Sequence, residues 1–291
     1  MQTYSPLRYP GGKNRLSKFI GQSIHNLEIP NCTYIEPFAG GAGVALSLLL
    51  NGTVDSIVIN DYDKAIYSFW RAIKQDVKPL IDKIEHTPVT IKEWYKQKEI
   101  YVSASSYSVD LAFATLFLNR TNRSGILTAG PIGGYAQAGK WKLDVRFDRE
   151  ALISKITTIS AHSKNIFIYN KDIISLLRNY VPRFGDNIFI YFDPPYYKKG
   201  QELYKNFFAP ADHQRIRDVI TNEIHIPWII TYDDVDAISA LYHDYAIRKF
   251  DLTYSVANKG IASELMIFSD IGFCPTSEQM LAQKININLR E

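Results

Sequence analysis

The segment Tyr34-Ile-Glu-Pro-Phe-Ala-Gly-Gly-Ala-Gly-Val-Ala-Leu46 joins an apolar run to a glycine-rich turn and then to a second apolar run. This order predicts a strand that ends at Glu36 and a helix that begins near Gly43. Glycines let the backbone turn sharply and approach a ligand, and a helix N-terminus presents unpaired N–H groups. Asp61 closes the next apolar run, 20 residues after Gly41, where a carboxylate can accept hydrogen bonds from ribose hydroxyls. Strand, turn and acid together predict a site for an adenosine-containing cofactor.

Strand-like and helix-like segments alternate on both sides of this turn. Short runs rich in β-branched and aromatic residues lie at Thr33–Glu36, Ser56–Asn60, Asn165–Asn170, Asn187–Phe192 and Trp228–Tyr232. Helical patterns separate most of them, at Gly43–Leu50, Lys64–Lys74, Arg149–His162, Asp172–Tyr180 and Pro210–Glu223. Runs that are apolar on both faces are typical of central parallel strands, so the alternation predicts a doubly wound α/β sheet.

The end of the chain has a different pattern. Ala246–Val256 and Ser263–Asp270 are strand-like and are joined by Ala257-Asn-Lys-Gly-Ile261, which predicts a hairpin. A mostly parallel sheet of seven strands that ends in an antiparallel hairpin is the layout of class I methyltransferases.

Residues 76–148 interrupt the alternation. Helical patterns at Lys92–Ala104 and Val109–Asn119 lead into a glycine-rich loop, and no core strand is evident. We therefore expect a catalytic domain of residues 1–75 and 149–291 and an inserted domain of residues 76–148. Residues 119–149 hold six Arg or Lys against two Asp, a net charge of +4. Such a loop suits phosphate neutralisation and base stacking, although a solvated loop face would have the same composition.

A second motif, Tyr191-Phe-Asp-Pro-Pro-Tyr196, ends the fourth strand-like run. Two prolines remove two N–H donors and stiffen the backbone, so Asp193 and the Pro194 carbonyl would face the cleft as acceptors. An exocyclic adenine amine is a poor nucleophile because its lone pair is delocalised into the ring. Accepting its protons would localise that pair for attack on a methyl sulfonium, and Tyr196 could stack on the base.

These two motifs, with Tyr9-Pro-Gly-Gly-Lys13 near the start, resemble the Dam-like DNA adenine methyltransferases of the α group over nearly the whole chain. The resemblance implies S-adenosyl-L-methionine as cofactor and a target-recognition domain inserted between the motifs. It implies catalytic roles for Asp193, Pro194, Pro195 and Tyr196. The implied cofactor-binding residues are Tyr9, Gly11, Gly12, Lys13, Glu36, Pro37, Phe38, Gly40, Gly43, Asp61, Asp172, Ile173 and Asp193. The family usually has Asp-Phe where this chain has Asp172-Ile173, so the carboxylate contact is the part that carries over.

Asn119-Arg-Thr-Asn-Arg-Ser-Gly125 resembles the segment that opens the DNA-contacting loop of this family. Beyond it the chain has Ile132-Gly-Gly-Tyr135 and Trp141-Lys-Leu-Asp144 in place of the element found in Dam itself, so GATC specificity does not carry over. Asp212-His-Gln214 and Thr231-Tyr232 resemble later motifs on the substrate side. The expected DNA contacts are Asn119, Arg120, Asn122, Arg123, Tyr135, Lys140, Trp141, Lys142 and Arg146.

Composition and the absence of certain motifs exclude several other classes of protein. The 291 residues carry a formal net charge of +3, and the two cysteines, Cys32 and Cys274, cannot form a disulfide framework or a four-ligand zinc site. No Pro-Cys nucleophile of a carbon-5 cytosine methyltransferase is present, and the zinc-deaminase pattern is absent. No metal is expected. Apolar stretches such as Leu111–Leu118 are far shorter than the roughly 18 residues of a membrane span, and we expect a cytoplasmic protein of bacterial or phage origin.

The leading hypothesis is an S-adenosylmethionine-dependent methyltransferase acting on a flipped adenine in duplex DNA, with strict or relaxed site specificity. We expect it to act as a monomer, and a restriction endonuclease for the same site is a candidate partner. Two alternatives stay open at this point. One is an RNA amino-methyltransferase, although those more often carry Asn-Pro-Pro-Tyr and lack the insertion. The other is a catalytically silent DNA-binding protein on the same fold, for which the intact Asp-Pro-Pro-Tyr would have no use.

Overall fold

The computed structural model describes residues 3–9, 13–198, 208–253 and 261–291. Within these ranges one mixed sheet crosses the molecule. Its strands are β1 (Thr33–Glu36), β2 (Ser56–Asn60), β3 (Ile166–Tyr169), β4 (Ile188–Phe192), β5 (Trp228–Asp233), β6 (Ala246–Thr253), β7 (Ile261–Phe268) and β8 (Leu289–Arg290).

The strand order is β3-β2-β1-β4-β5-β7-β6-β8. Strands β1 to β5 are parallel, whereas β7 lies antiparallel between β5 and β6. The predicted class I methyltransferase fold is confirmed, but the sheet has eight strands in the described part of the chain and not seven. The additional strand arises because Leu289–Arg290 pairs with the free edge of β6. The predicted turn of the hairpin falls in residues 254–260, outside the described residues.

Helices cover both faces of the sheet. They are α1 (Ser17–Asn26), α2 (Gly43–Leu50), α3 (Lys64–Gln75), α4 (Val77–His86), α5 (Ile91–Ser103), α6 (Val109–Thr121), α7 (Arg149–Ala161), α8 (Ile173–Asn179), α9 (Pro210–Glu223), α10 (Asp236–Leu241) and α11 (Ser277–Ala282). Successive strand residues point to opposite faces, so Tyr34 joins the apolar core under α1 to α7 while Ile35 joins the core under α8 to α10. None of the helices in the described ranges is long and apolar enough to cross a membrane.

Helices α4, α5 and α6, followed by a loop with two short 3-10 turns, make up residues 76–148. Nearly every side chain of α6 is buried, and the residues from Leu111 to Leu118 belong to the same apolar core as α3 and one face of the sheet. The segment is thus anchored on the sheet layer by a shared core. Its division from residues 1–75 and 149–291 as a separate recognition domain stays a prediction.

Asn60 ties together the loops that follow three adjacent strands. Its side chain is 2% exposed. Its amide nitrogen donates to the carbonyls of Pro37 and Lys171, at 2.9 and 3.1 Å, and its oxygen accepts from the Lys171 N–H at 2.9 Å. The chain segments after β1, β2 and β3 are therefore fixed relative to one another at the carboxyl edge of the sheet.

We expect Asn60→Ala to lower the free energy of unfolding by about 3 kcal/mol, because it leaves three buried backbone groups without partners. Urea denaturation of the purified protein measures this. Asn165→Ala is the matched control, since Asn165 is exposed and makes one hydrogen bond to the Asp55 carbonyl. Equal losses in the two variants would contradict the structural role of Asn60.

Candidate active site

Two hydrogen bonds hold the glycine turn after β1 in place. Gly40 has a φ of +45°, in the left-handed region that favours glycine. Its N–H donates to Asp61 Oδ2 at 2.9 Å, and its carbonyl accepts from the buried indole of Trp70, also at 2.9 Å. The turn therefore has a fixed shape before any ligand arrives.

Tyr9 and Asn14 close over this turn from the N-terminal segment. A Cβ on Gly40 would lie 2.6 Å from the Tyr9 ring, and a Cβ on Gly43 would lie 1.5 Å from Asn14 Oδ1. Only glycine permits this close approach. The predicted contacts Gly11 and Gly12 lie outside the described residues.

Glu36 ends β1 beneath the turn and is 5% exposed. Its Oε2 accepts from the N–H of Ala45 in the first turn of α2, at 3.1 Å. Burial raises the pKa of Glu36 to about 8, against which the Ala45 hydrogen bond acts only in part, and nearby Asp193 raises it further. A carboxyl group in this state gains most from a ligand that brings a hydrogen-bond donor or a positive charge.

Asp61 follows β2 and faces the same cavity. Its two oxygens accept from the N–H groups of Gly40 and Asp63, at 2.9 and 2.8 Å. Burial raises the pKa of Asp61 to about 7, with a smaller rise from Asp63. Each oxygen keeps a further lone pair, so the carboxylate can still accept from a ligand hydroxyl.

A cavity of about 240 Å³ lies along the carboxyl edge of the parallel strands. The predicted cofactor residues that line it are Tyr9, Lys13, Glu36, Pro37, Phe38, Gly43, Asp61, Asp172, Ile173 and Asp193. Gly40 supports the wall through the hydrogen bonds described above, and its neighbour Gly41 lines the cavity. Asp172 is also the N-cap of α8, where it accepts from the Ser175 N–H. The structure thus gathers the described part of this predicted set around one space.

Asp193 lies at the end of β4 and borders the cavity beside Pro195. Its side chain is 21% exposed, and Oδ1 accepts from the Thr231 hydroxyl at 3.0 Å, which in turn lies 2.8 Å from the Tyr191 hydroxyl. Lys13 Nζ is 3.5 Å from the same oxygen. Burial raises the pKa of Asp193 above its ordinary value, while Lys13 and Thr231 oppose that rise. The carboxylate is aligned by neighbours on one side and faces the cavity on the other.

The side chain of Tyr196 is more buried than its predicted stacking role suggests. The side chain is 6% exposed and does not line the cavity. Its hydroxyl donates to Glu264 Oε1 at 2.6 Å and accepts from Lys13 Nζ at 2.8 Å. Pro194 and Pro195 are buried beside it. The roles of Pro194, Pro195 and Tyr196 toward a substrate base stay predictions.

Two of the predicted DNA contacts are corrected by the structure. Asn119 is 1% exposed, and its amide bonds the backbone of Arg8 and the carbonyl of Gly125. Asn122 is fully buried, accepts from the Trp94 indole at 2.7 Å and donates to two loop carbonyls. Both side chains are used to fold the loop and to attach the N-terminal segment to it, so neither is available to DNA.

The other predicted DNA contacts are at or near the surface. Arg123, Tyr135, Lys140, Trp141, Lys142 and Arg146 are exposed. Arg120 is partly buried, and its Nε has no hydrogen-bond partner in the described residues. Burial lowers the pKa of Arg120 to about 10, and Arg8 and Arg146 lower it further by charge repulsion. Several cations therefore converge where the loop meets the N-terminal segment.

Sequence reasoning missed some residues that shape these sites. Trp70, in the middle of a helix, gives no sign in the sequence that it holds the Gly40 carbonyl. Tyr95 is 54% exposed and stacks on Tyr135 with ring centres 6.2 Å apart. Glu264 is a single acid inside the apolar strand β7, and that oddity is the one available signal. Asp212 and Gln214 do not line the cavity, and Asp212 accepts instead from the Ala209 N–H at the start of α9.

The sheet order, the glycine turn after β1 and the Asp-Pro-Pro-Tyr segment after β4 define a class I methyltransferase built to act on an amino group. The chain belongs to the family of D12 class N6 adenine-specific DNA methyltransferases, whose model matches residues 9–256. It is therefore an adenine-specific DNA methyltransferase, with DNA as substrate and a methyl donor as the second reactant. The RNA-modifying and catalytically silent alternatives are set aside by this membership.

A named relative and two solved structures resemble the chain. The Type II methyltransferase M.MjaIII of Methanocaldococcus jannaschii is 27% identical over 205 residues, which cover 65% of this chain and 68% of that protein. The rRNA methyltransferase AviRa of Streptomyces viridochromogenes aligns at 10% identity and a TM-score of 0.39, over 90% of this chain and 86% of the other. Protein LPL1258 of Legionella pneumophila aligns at 12% identity and a TM-score of 0.34, over 94% and 90%. At these scores we draw nothing from either structure.

We expect Glu36→Gln to stabilise the ligand-free protein increasingly as pH rises from 5 to 8. The folded-state pKa of Glu36, about 8, exceeds the ordinary value of 4.5, so unfolding releases a proton in this window and the wild type loses stability as pH increases. Glutamine removes that linkage. Thermal unfolding at several pH values should show a gap in Tm that widens with pH.

Glu85→Gln, on an exposed position of α4, is the matched control and should show a flat difference. A constant gap for Glu36→Gln across this range would contradict the inferred state of the carboxyl group.

Proposed function

We propose that the cavity binds S-adenosyl-L-methionine and that the adenine amine enters beside Asp193. The observation that carries this proposal is that Glu36, Asp61 and Asp193, all with raised pKa values, line one cavity at the carboxyl edge of the sheet. Ligands of open α/β sheets bind at this edge. The proposal adds the identity of the donor and the substrate pose to the family's activity.

The residues present fit this cofactor. Glycine at positions 40 and 43 lets Tyr9 and Asn14 approach the turn that borders the cavity, and this turn leads into the N-terminus of α2. Asp61 retains lone pairs for ribose hydroxyls, and Asp172 stands at the opposite wall for the adenine amine of the cofactor. When bound, the cofactor supplies a methyl group on a sulfonium, and the surrounding carboxylates favour that positive charge.

The protein's own contribution is positioning and electrostatics. Asp193, with Oδ1 held by Thr231, would accept a hydrogen bond from the target amine and localise its lone pair toward the methyl carbon. Asp193 would also accept the proton that the amine loses when it is methylated. Pro194 would offer its carbonyl as a second acceptor.

The target base must leave the helix, because its amine is paired and shielded in duplex DNA. Extrusion costs a few kcal/mol and is offset by contacts inside the pocket. We place the base next to Pro195 and Phe208, two apolar side chains on the cavity wall. Tyr196, nearly buried in the ligand-free protein, would stack on it after a small shift of its ring.

The DNA-binding surface consists of Arg123, Tyr135, Lys140, Trp141, Lys142 and Arg146, extended by Tyr95 on α5 and by Arg8 and Lys155. Tyr95 and Tyr135 form an exposed pair supported by the buried Trp94 ring. Arg8 and Lys155 belong to the same group of cations as Arg120, as their mutual effects on pKa indicate. Flat aromatic rings among cations suit sugars and bases flanked by phosphates.

The biological setting follows from the same proposal. We infer that the enzyme acts as a monomer in the cytoplasm of a bacterium or on behalf of a phage. A restriction endonuclease for the same site is a natural partner, since the M.MjaIII relative is a Type II methyltransferase. GATC specificity does not carry over from Dam to this chain, because the loop after Asn119 departs from that of Dam.

We expect Asp193→Ala to lower methyl transfer at least hundredfold, because the amine loses its aligned acceptor. Mapping 6-methyladenine on genomic DNA treated with each purified protein reports product and sequence context together. Asp186→Ala, an exposed position just before β4, is the control. Methylation by Asp193→Ala at the wild-type rate would refute the role of this carboxylate.

We expect Arg146→Ala and Lys142→Ala each to weaken binding to any duplex and to reduce the slope of log affinity against log salt by about 1, because each removes one phosphate contact. Fluorescence anisotropy with labelled duplexes measures this. Arg178→Ala is the control, since Arg178 lies on α8 and is already paired with Glu223. Unchanged slopes for both test variants would place the DNA elsewhere on the protein.

A further inference from the structure

Glu264 is a buried carboxylate close to the proposed reaction centre that does not line the cavity. It lies on β7 and is 2% exposed. Its oxygens lie 2.9 and 3.2 Å from Lys13 Nζ, and one of them accepts the Tyr196 hydroxyl at 2.6 Å. One carboxylate thus holds both the cation and the aromatic residue that border Asp193.

Lys13 therefore contacts two carboxylates, and its distance to Glu264 is shorter than its distance to Asp193. Its ammonium is 2% exposed, so it needs a counter-charge in the protein interior. It lies 2.9 Å from Glu264 but 3.5 Å from Asp193, which is beyond a normal charge-assisted hydrogen bond. The arrangement keeps Lys13 near enough to favour the ionised form of Asp193, while its shorter contact is with Glu264.

We propose that Glu264 is a positioning residue for methyl transfer: by holding the Lys13 ammonium and the Tyr196 hydroxyl, it keeps Asp193 available as the acceptor for the target amine. This inference rests on the proposed function of Asp193. Without the charge of Glu264, Lys13 would move onto Asp193, to about 2.8 Å, and compete with the amine for its lone pairs. Tyr196 would lose the acceptor that fixes its ring beside Pro195.

The other titratable groups around this cluster are all acids. Glu36 faces Asp193 from β1, Tyr34 lies beneath it on the same strand, and Tyr191 approaches from β4. Each of these adds negative charge when ionised. Lys13 is the cation that acts on both Asp193 and Glu264. Burial is the main cause of the raised pKa of Asp193, and the charge of Lys13 is the strongest of the effects that oppose it.

The test is single-turnover methylation of a duplex by wild type, Glu264→Gln and Glu264→Asp, followed from pH 5 to 8. Glutamine keeps the shape and an acceptor for Tyr196 but lacks the charge. We expect its rate to fall at least tenfold, with KM for cofactor and DNA changed less than twofold. The acid limb of its pH profile should move to lower pH, because the closer Lys13 lowers the pKa of Asp193.

Aspartate keeps the charge but shortens the reach by one methylene, so it should give an intermediate rate and an intermediate shift. Glu85→Gln on α4 is the control and should match the wild type. Circular dichroism and Tm confirm that each variant is folded at the assay temperature. If Glu264→Gln does not fold, Glu264→Asp carries the test by the same shift of its acid limb.

A folded Glu264→Gln with the wild-type rate, or with a loss confined to KM and an unmoved acid limb, would overturn the inference. If Glu264→Asp is the variant that carries the test, an unchanged acid limb in its pH profile would also overturn the inference. The proposed function fails separately, if the wild type itself transfers no methyl group to DNA or if Asp193→Ala retains full activity.

Discussion

Four buried acidic side chains lie in or beside one cavity at the carboxyl edge of the sheet, and a single lysine contacts two of them, Asp193 and Glu264. Glu36, Asp61, Asp193 and Glu264 all have pKa values raised by burial. Lys13 compensates two of them. The folded protein therefore carries an electrostatic cost that is relieved when a cationic donor and an amine bearing N–H groups enter the cavity. Burial that weakens the empty protein makes it selective for these reactants.

The fold places these groups by simple geometry. Strands β1, β2 and β4 are parallel neighbours, so the residues that follow them meet at one edge. Asn60 fixes the segments after β1, β2 and β3 to one another at that edge. The antiparallel strand β7 then brings Glu264 to the same edge from the opposite chain direction. Arg8, in the N-terminal segment, is attached by its backbone to Asn119 at the end of α6.

Much of this could be predicted from sequence because the signals are local. The bounds of β1, β2 and α2 follow directly from apolar runs that end at an acid or a glycine, and the glycine turn and Asp-Pro-Pro-Tyr segment are contiguous motifs. The pairing of Leu289–Arg290 with β6 could not be predicted, since a two-residue edge strand has no pattern of its own. The burial of Asn119 and Asn122 could not be predicted, because a polar residue in a basic loop has the same sequence pattern whether it faces solvent or satisfies buried carbonyls. Glu264 needed the tertiary structure, because its partners are 251 and 68 residues away in the chain.

Proton release on cofactor binding tests the central claim most directly. Isothermal titration of S-adenosyl-L-methionine at pH 7, in buffers of different ionisation enthalpy, gives the number of protons exchanged. If the cavity carboxyl groups are protonated when empty and ionise around the donor, the wild type should release between about 1 and 1.5 protons per site, and Glu36→Gln should release clearly less. No release, or the same release from both proteins, would contradict the account.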